Sequence, residues 1–191
     1  MPQVNDMILV VLSRPRKFYL SSWAIKKVTD FDASHASIQF HGSGTFADQP
    51  LAFEATSHGV GITHGSIWWK RNLAVHSFKA ICDEEVVRSS LGRMWEFLGE
   101  DYDYKGVGYF AWRLFLKKVF DVNVRTPETE GEMFCSELVT RWYLQLCEAL
   151  GRPRTDVLPE ETSPAGLSRL LEADEAFERV PCESSSSATS T

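Results

Sequence analysis

Met133-Phe134-Cys135-Ser136-Glu137-Leu138-Val139 carries the chain out of an irregular segment and into a helix, and the rest of the sequence can be read outward from it. From Cys135 to about Leu150, the residues Leu138, Val139, Trp142, Leu146 and Leu150 recur at three- and four-residue spacing on one face. Gly151 stops the pattern. A thiol at the start of such a helix meets the positive end of the helix dipole and several unpaired N–H groups. Both favour the thiolate, which is the nucleophilic form. The competing reading of Cys135 is a buried structural thiol, since cysteine also packs as a small apolar group.

Downstream, Ser163-Pro164 has the form of an N-cap followed by proline at the first helical position, opening a short helix that runs to Leu171. Residues 176–180 read as a last strand. Upstream, residues 106–120 form a helix candidate. Asp83 is an N-cap for a further helix, with Val87, Leu91, Met94 and Leu98 on its face and Gly99 at its end. The first eighty residues read as strands and loops. The apolar run 7–12 is a buried strand, followed by β-type segments at 17–29, 35–41, 51–56, 62–68 and 73–80, with a Gly- and Asp-containing loop at 42–50. Strands first and helices later predict an α+β fold.

In Ser34-His35-Ala36-Ser37-Ile38-Gln39-Phe40-His41, the apolar Ala36, Ile38 and Phe40 alternate with His35, Ser37, Gln39 and His41. His35 therefore opens the polar face of a half-buried strand, where an imidazole stays accessible or is simply a surface residue. Glu54 lies in Leu51-Ala52-Phe53-Glu54-Ala55-Thr56. It either faces solvent or lies beside the His35 strand and orients the imidazole, as the third member of a Cys–His–acid set. Tyr102 and Tyr104 follow the Asp83 helix, as packing residues or as donors to an oxyanion.

The chain has 191 residues, 43% of them apolar and 24% charged, which predicts one domain with a core of its own. A net charge of −6 argues against non-specific nucleic-acid binding. The cysteines Cys82, Cys135, Cys147 and Cys182 contain no CxxC pair, and no acid or thiol stands at metal spacing from His58 and His64. No metal or other cofactor is expected. The six-residue apolar run is too short for a signal-peptide core or a membrane span, so the chain reads as cytoplasmic. Residues 1–182 are expected to form one catalytic domain, and the serine-rich 183–191 a disordered tail. In 106–120 the apolar residues leave only a narrow cationic strip, Arg113, Lys117 and Lys118. This predicts either a mostly buried helix or a contact surface for a membrane or a protein partner.

The order of these motifs resembles the circularly permuted branch of the NlpC/P60 papain-like superfamily, the YiiX-like hydrolases. The resemblance rests on Ser34-His35, Phe53-Glu54-Ala55, Gly59-Val60, the Gly99-to-Tyr104 segment, Phe134 to Val139, and the Leu158-Pro159 … Ser163-Pro164 … Leu167 stretch. It spans about residues 21–171, with the histidine ahead of the cysteine as in the permuted branch. It implies a small antiparallel sheet or barrel packed on helices, with the cysteine helix against the sheet. It further implies Cys135 as nucleophile, His35 as base, Glu54 as orienting group and Tyr104 lining the substrate site. Relatives cleave amide bonds in cell-wall peptides, or transfer and hydrolyse acyl groups on lipids. The resemblance therefore implies a cysteine peptidase or amidase acting on a peptide or acyl substrate. The alternatives are a thiol acyltransferase or lipase, and a non-catalytic binding or structural module. The loop between His35 and Glu54 makes His41 a rival for the third position.

Overall fold

β-Branched and leucine residues at 9–12 make the last four residues of the apolar run the start of a strand, β1 (Leu9–Pro15), which lies inside a six-stranded sheet. The computed structural model describes residues 8–41, 49–103, 108–109, 112, 116, 120 and 132–182. The other strands of this sheet are β2 (His35–His41), β3 (Pro50–Thr56), β4 (Gly59–His64), β5 (Asn72–Ala80) and β8 (Phe177–Val180). Their spatial order is β4-β3-β2-β1-β5-β8, and every neighbouring pair is antiparallel. A separate parallel pair joins β6 (Asp101–Tyr102) to β7 (Glu132–Met133), immediately before Cys135.

The helices are α1 (Leu20–Thr29), α2 (Gly65–Arg71), α3 (Glu84–Arg93), α4 (Cys135–Ala149) and α5 (Pro164–Ala173). The pleat sends Val10, Leu12, Ala36, Ile38, Phe53 and Phe78 to one face of the sheet, where they pack with Leu138, Trp142 and Leu146 of α4. The opposite face carries Val11 and Ala52 and is covered by Trp68 of α2. The fold is thus α+β, a six-stranded antiparallel sheet packed against helices. None of the described helices is long and apolar enough to cross a membrane.

The expected caps are present. Asp83 accepts hydrogen bonds from the Glu85 and Val86 N–H groups, and Ser163 accepts one from Gly166. The Asp83 helix is α-helical only to Arg93, with a 3₁₀ turn over Met94–Phe97 completing the expected span. Gly151 follows α4 with φ +70°.

Two expectations fail. Residues 17–29, read as β-type, contain α1, whose Leu20, Ala24 and Val28 recur at the four-residue interval of a helix. The aromatic and β-branched content of the segment favours a strand, but it does not alternate. Residues 62–68 divide between β4 and α2. The His64 side chain accepts the Ser66 N–H and caps a helix at that point. Helices therefore interleave with the early strands instead of following them. Tyr104, the 183–191 tail and most of 106–120 lie outside the described residues. Within the last segment Tyr109, Trp112 and Phe120 are helical and exposed.

Candidate functional site

Cys135 is the first residue of α4. Phe134, the N-cap, makes no side-chain capping bond. The Glu137 carboxylate instead reaches back to the Phe134 N–H, and the Ser136 N–H turns to the Cys135 sulfur. The Ser136 hydroxyl donates to the Thr162 carbonyl at 2.7 Å and ties this end of the helix to the turn ahead of α5.

His35 enters from the start of β2. Its position is set by the register of β1 and β2, which opposes Ser13 to His35, and by a 2.9 Å bond from Ser34 N–H to the Ser13 carbonyl. The Cys135 sulfur lies 4.0 Å from the Ser34 carbonyl, so α4 starts directly beside the histidine's strand.

Glu54 is on β3, two strands from β1. Its carboxylate does not reach solvent, contrary to the usual fate of a lone acid on a strand. It is 4% exposed and its Oε2 lies 2.7 Å from His35 Nε2. That bond leaves Nδ1 as the ring nitrogen available to the thiol. Cys135, His35 and Glu54, separated widely in sequence, are thereby brought together. His41 ends β2, and its side chain lies outside the described residues, as does Tyr104.

The electrostatics of the three groups are coupled. Burial pushes the Cys135 thiol up. Its hydrogen bond to His35, the imidazolium charge, and the backbone N–H groups of Ala36 and Ser136 outweigh that and hold it below the usual thiol range. Burial alone would lower His35. Contact with Cys135 and with Glu54 instead raises it above its ordinary 6.5. Glu54 is held below the usual carboxylate value, because the His35 bond and charge, with Thr63 and Trp68 beside it, overcome desolvation. All three shifts act in one direction, toward a thiolate–imidazolium pair steadied by a carboxylate.

The other thiols differ. All four cysteines are free, and burial raises both Cys82 and Cys147.

The three side chains open into a cavity of about 570 Å³. This is within the range of small-molecule and peptide-end sites. Tyr102 lines it, as do Ser22 and Ser34, whose hydroxyls lie 2.5 Å apart and join α1 to the histidine's strand. Gly59 positions the Tyr102 wall. At φ +92° it brings the β3–β4 turn so close to the Glu100 carbonyl that a Cβ would sit 2.5 Å from that oxygen. Val60 N–H bonds the same carbonyl at 2.8 Å.

Four cations that the motifs did not single out also line the cavity, Arg16, Lys17, Lys70 and Arg71. They come from the end of β1 and the end of α2, which are adjacent only in the folded sheet. Their one sequence signal is the basic character of both stretches. His58 lines the cavity too, while His64 is occupied in capping α2. A scan against protein-family models finds no match to the chain, and neither does a search of curated proteins.

Proposed function

We propose that the chain is a cysteine hydrolase that cleaves amide bonds in peptides, on a permuted papain-like fold of the NlpC/P60 type. The observation that carries the reading is the coupled Cys135–His35–Glu54 set at a cavity of ligand size. The order of the set along the chain, histidine and acid before cysteine, fits the permuted branch, as does a cysteine-first helix on the face of an antiparallel sheet.

In this mechanism the Cys135 thiolate attacks the substrate carbonyl carbon. The developing oxyanion accepts a hydrogen bond from the Cys135 N–H at the helix start. His35 gives its Nδ1 proton to the leaving amine as the C–N bond breaks, leaving a thioester on Cys135. A water molecule then attacks the thioester while His35 takes its proton. The acid product departs, and the thiolate–imidazolium pair is restored. Glu54 holds the ring so that Nδ1 faces the sulfur and stabilises the imidazolium.

The test is to assay the protein on peptidoglycan peptides, amino-acid amides and acyl lipids side by side, with Cys135→Ala as the control. Hydrolysis of amides that disappears in the variant supports the proposal. Full activity in the variant overturns it. Turnover confined to acyl lipids moves the reading to a lipase or acyltransferase. One observation favours that second reading, the exposed Phe18 and Tyr19 beside the cavity. A Cys135 no more reactive than Cys82 or Cys147 identifies a binding module instead.

A further inference from the structure

The stretch from Arg14 to Lys27 reads Arg-Pro-Arg-Lys-Phe-Tyr-Leu-Ser-Ser-Trp-Ala-Ile-Lys-Lys. It holds five cations and no acid, in a chain whose net charge is −6. Phe18, Tyr19 and Trp23 are 77%, 54% and 50% exposed. They stand around a shallow hollow together with Arg14, Arg16, Lys17 and Lys26. Arg16, Lys17 and Tyr19 also line the Cys135 cavity, so the hollow and the cavity share a wall. Beside Arg16, whose N–H bonds the Arg71 carbonyl at 2.8 Å, Lys70 and Arg71 add two more exposed cations to the cavity wall.

Among the described residues none of these cations forms an ion pair with an acid. The Arg16 Nε donates only to the backbone carbonyls of Trp69 and Asn72. Asp30 and Asp32, the nearest acids along the chain, border an adjoining hollow that shares Trp23 and Lys26 with this one.

We infer that this face docks on an anionic lipid surface, with Phe18, Tyr19 and Trp23 entering the headgroup boundary and the surrounding cations meeting the headgroups. Tyr and Trp have an apolar body and a polar tip, and they settle at the membrane–water boundary. Phe18 has no polar tip, and its ring gains most from leaving water. Clustered Lys and Arg beside such residues supply the attraction to acidic headgroups. The charge pattern selects a surface over a free polyanion. An overall acidic molecule repels a polyelectrolyte that wraps it, but presents one cationic face to a plane. Docked this way, the chain lies with the mouth of the Cys135 cavity at the lipid. The docking itself requires no catalysis.

Co-sedimentation of the full chain with vesicles of phosphatidylcholine alone, and of phosphatidylcholine mixed with phosphatidylglycerol, tests the inference. Binding is expected to the mixed vesicles, to fall with added salt, and to survive in Cys135→Ala. Lys17→Gln/Lys26→Gln/Lys27→Gln is expected to weaken it by about fivefold per charge. Phe18→Ser and Trp23→Ser are each expected to weaken it by about tenfold. Lys17, Phe18, Trp23 and Lys27 are exposed and Lys26 is half-buried, and unchanged circular dichroism will show that the variants fold. Equal binding to both vesicle types, no binding, or binding unaffected by all the variants overturns the inference. Capture of a single-stranded oligonucleotide or an acidic peptide in place of vesicles overturns it as well. A Cys135 thiol that fails to react removes the proposed hydrolase but leaves the docking result standing.

Discussion

Cys135 and Cys147 stand on the same helix, both buried and both free, yet their thiols are shifted in opposite directions. Burial raises each. At Cys147 the neighbours are Tyr143 and the Asp174 carboxylate, whose Oδ2 is 3.8 Å from the sulfur. The tyrosine bond and the more distant Arg152 and Arg154 charges do not outweigh desolvation there. At Cys135 the neighbours are an imidazole and backbone N–H groups at a helix start. Solvent exclusion alone makes a thiol inert. What converts it is a donor-rich, cationic surrounding, and only one end of the helix has that.

The contrast can be broken most completely at its centre. Cys135→Ala should abolish turnover and all iodoacetamide uptake near pH 6, while Cys147→Ala should leave both intact. Peptide mapping of the alkylated protein checks this.

The next largest effect belongs to His35→Asn, which removes the cation and the ring donor. Uptake at Cys135 near pH 6 should fall roughly 100-fold, and its labelling profile should move up toward that of Cys147.

The same pair sets a pH dependence of stability. The fold raises His35, so its contribution is full below its ordinary 6.5 and is lost as pH rises through the higher folded value. The fold lowers Glu54, so that contribution is present above the ordinary 4.5 and is lost as pH falls through the lower folded value. The fold also lowers Cys135, so that contribution is full above its ordinary 9.0 and fades as pH falls toward the lower folded value. Urea midpoints of the wild type should therefore exceed those of His35→Asn most between the ordinary values of His35 and Cys135, about 6.5 to 9.0, and the gap should narrow in stronger alkali and in acid.

Glu54→Gln keeps a polar group against Nε2 but removes the charge. It should weaken Cys135 uptake near pH 6 by about tenfold, equivalent to one pKa unit. The smallest effect is expected at the inert end of the helix. Asp174→Asn keeps an acceptor for Ala176 N–H while removing a charge that raises Cys147, and should speed Cys147 alkylation by about threefold.

The two ends of this comparison were unequally legible from sequence. The start of α4 could be read because the apolar spacing from Leu138 to Leu150 fixes the helix and leaves Cys135 at its head. The strand of His35 could be read from the Ala36, Ile38 and Phe40 alternation. Which residue faces His35 could not, because the pairing of β2 with β3 depends on the register across an intervening loop. Glu54 and His41 stayed rivals for that reason. The helices α1 and α2 were missed because Trp23, Ile25, Ile67, Trp68 and Trp69 weigh toward strands by composition. The deciding signals were a four-residue interval in one and a histidine cap in the other. The cavity's cations are not legible in the sequence, because the sheet order alone makes the ends of β1 and α2 neighbours.

The histidine at the head of β2 and the cysteine at the head of α4 are 100 residues apart in the chain. Such a distant contact forms late, after the entropy of closing a long loop has been overcome. A nascent or unfolded chain therefore carries four ordinary thiols, and the lowering of Cys135 arises only when α4 docks against the sheet. A brief iodoacetamide pulse at mildly acidic pH, applied at intervals during refolding, would time that docking directly, with Cys135 serving as the molecule's own clock.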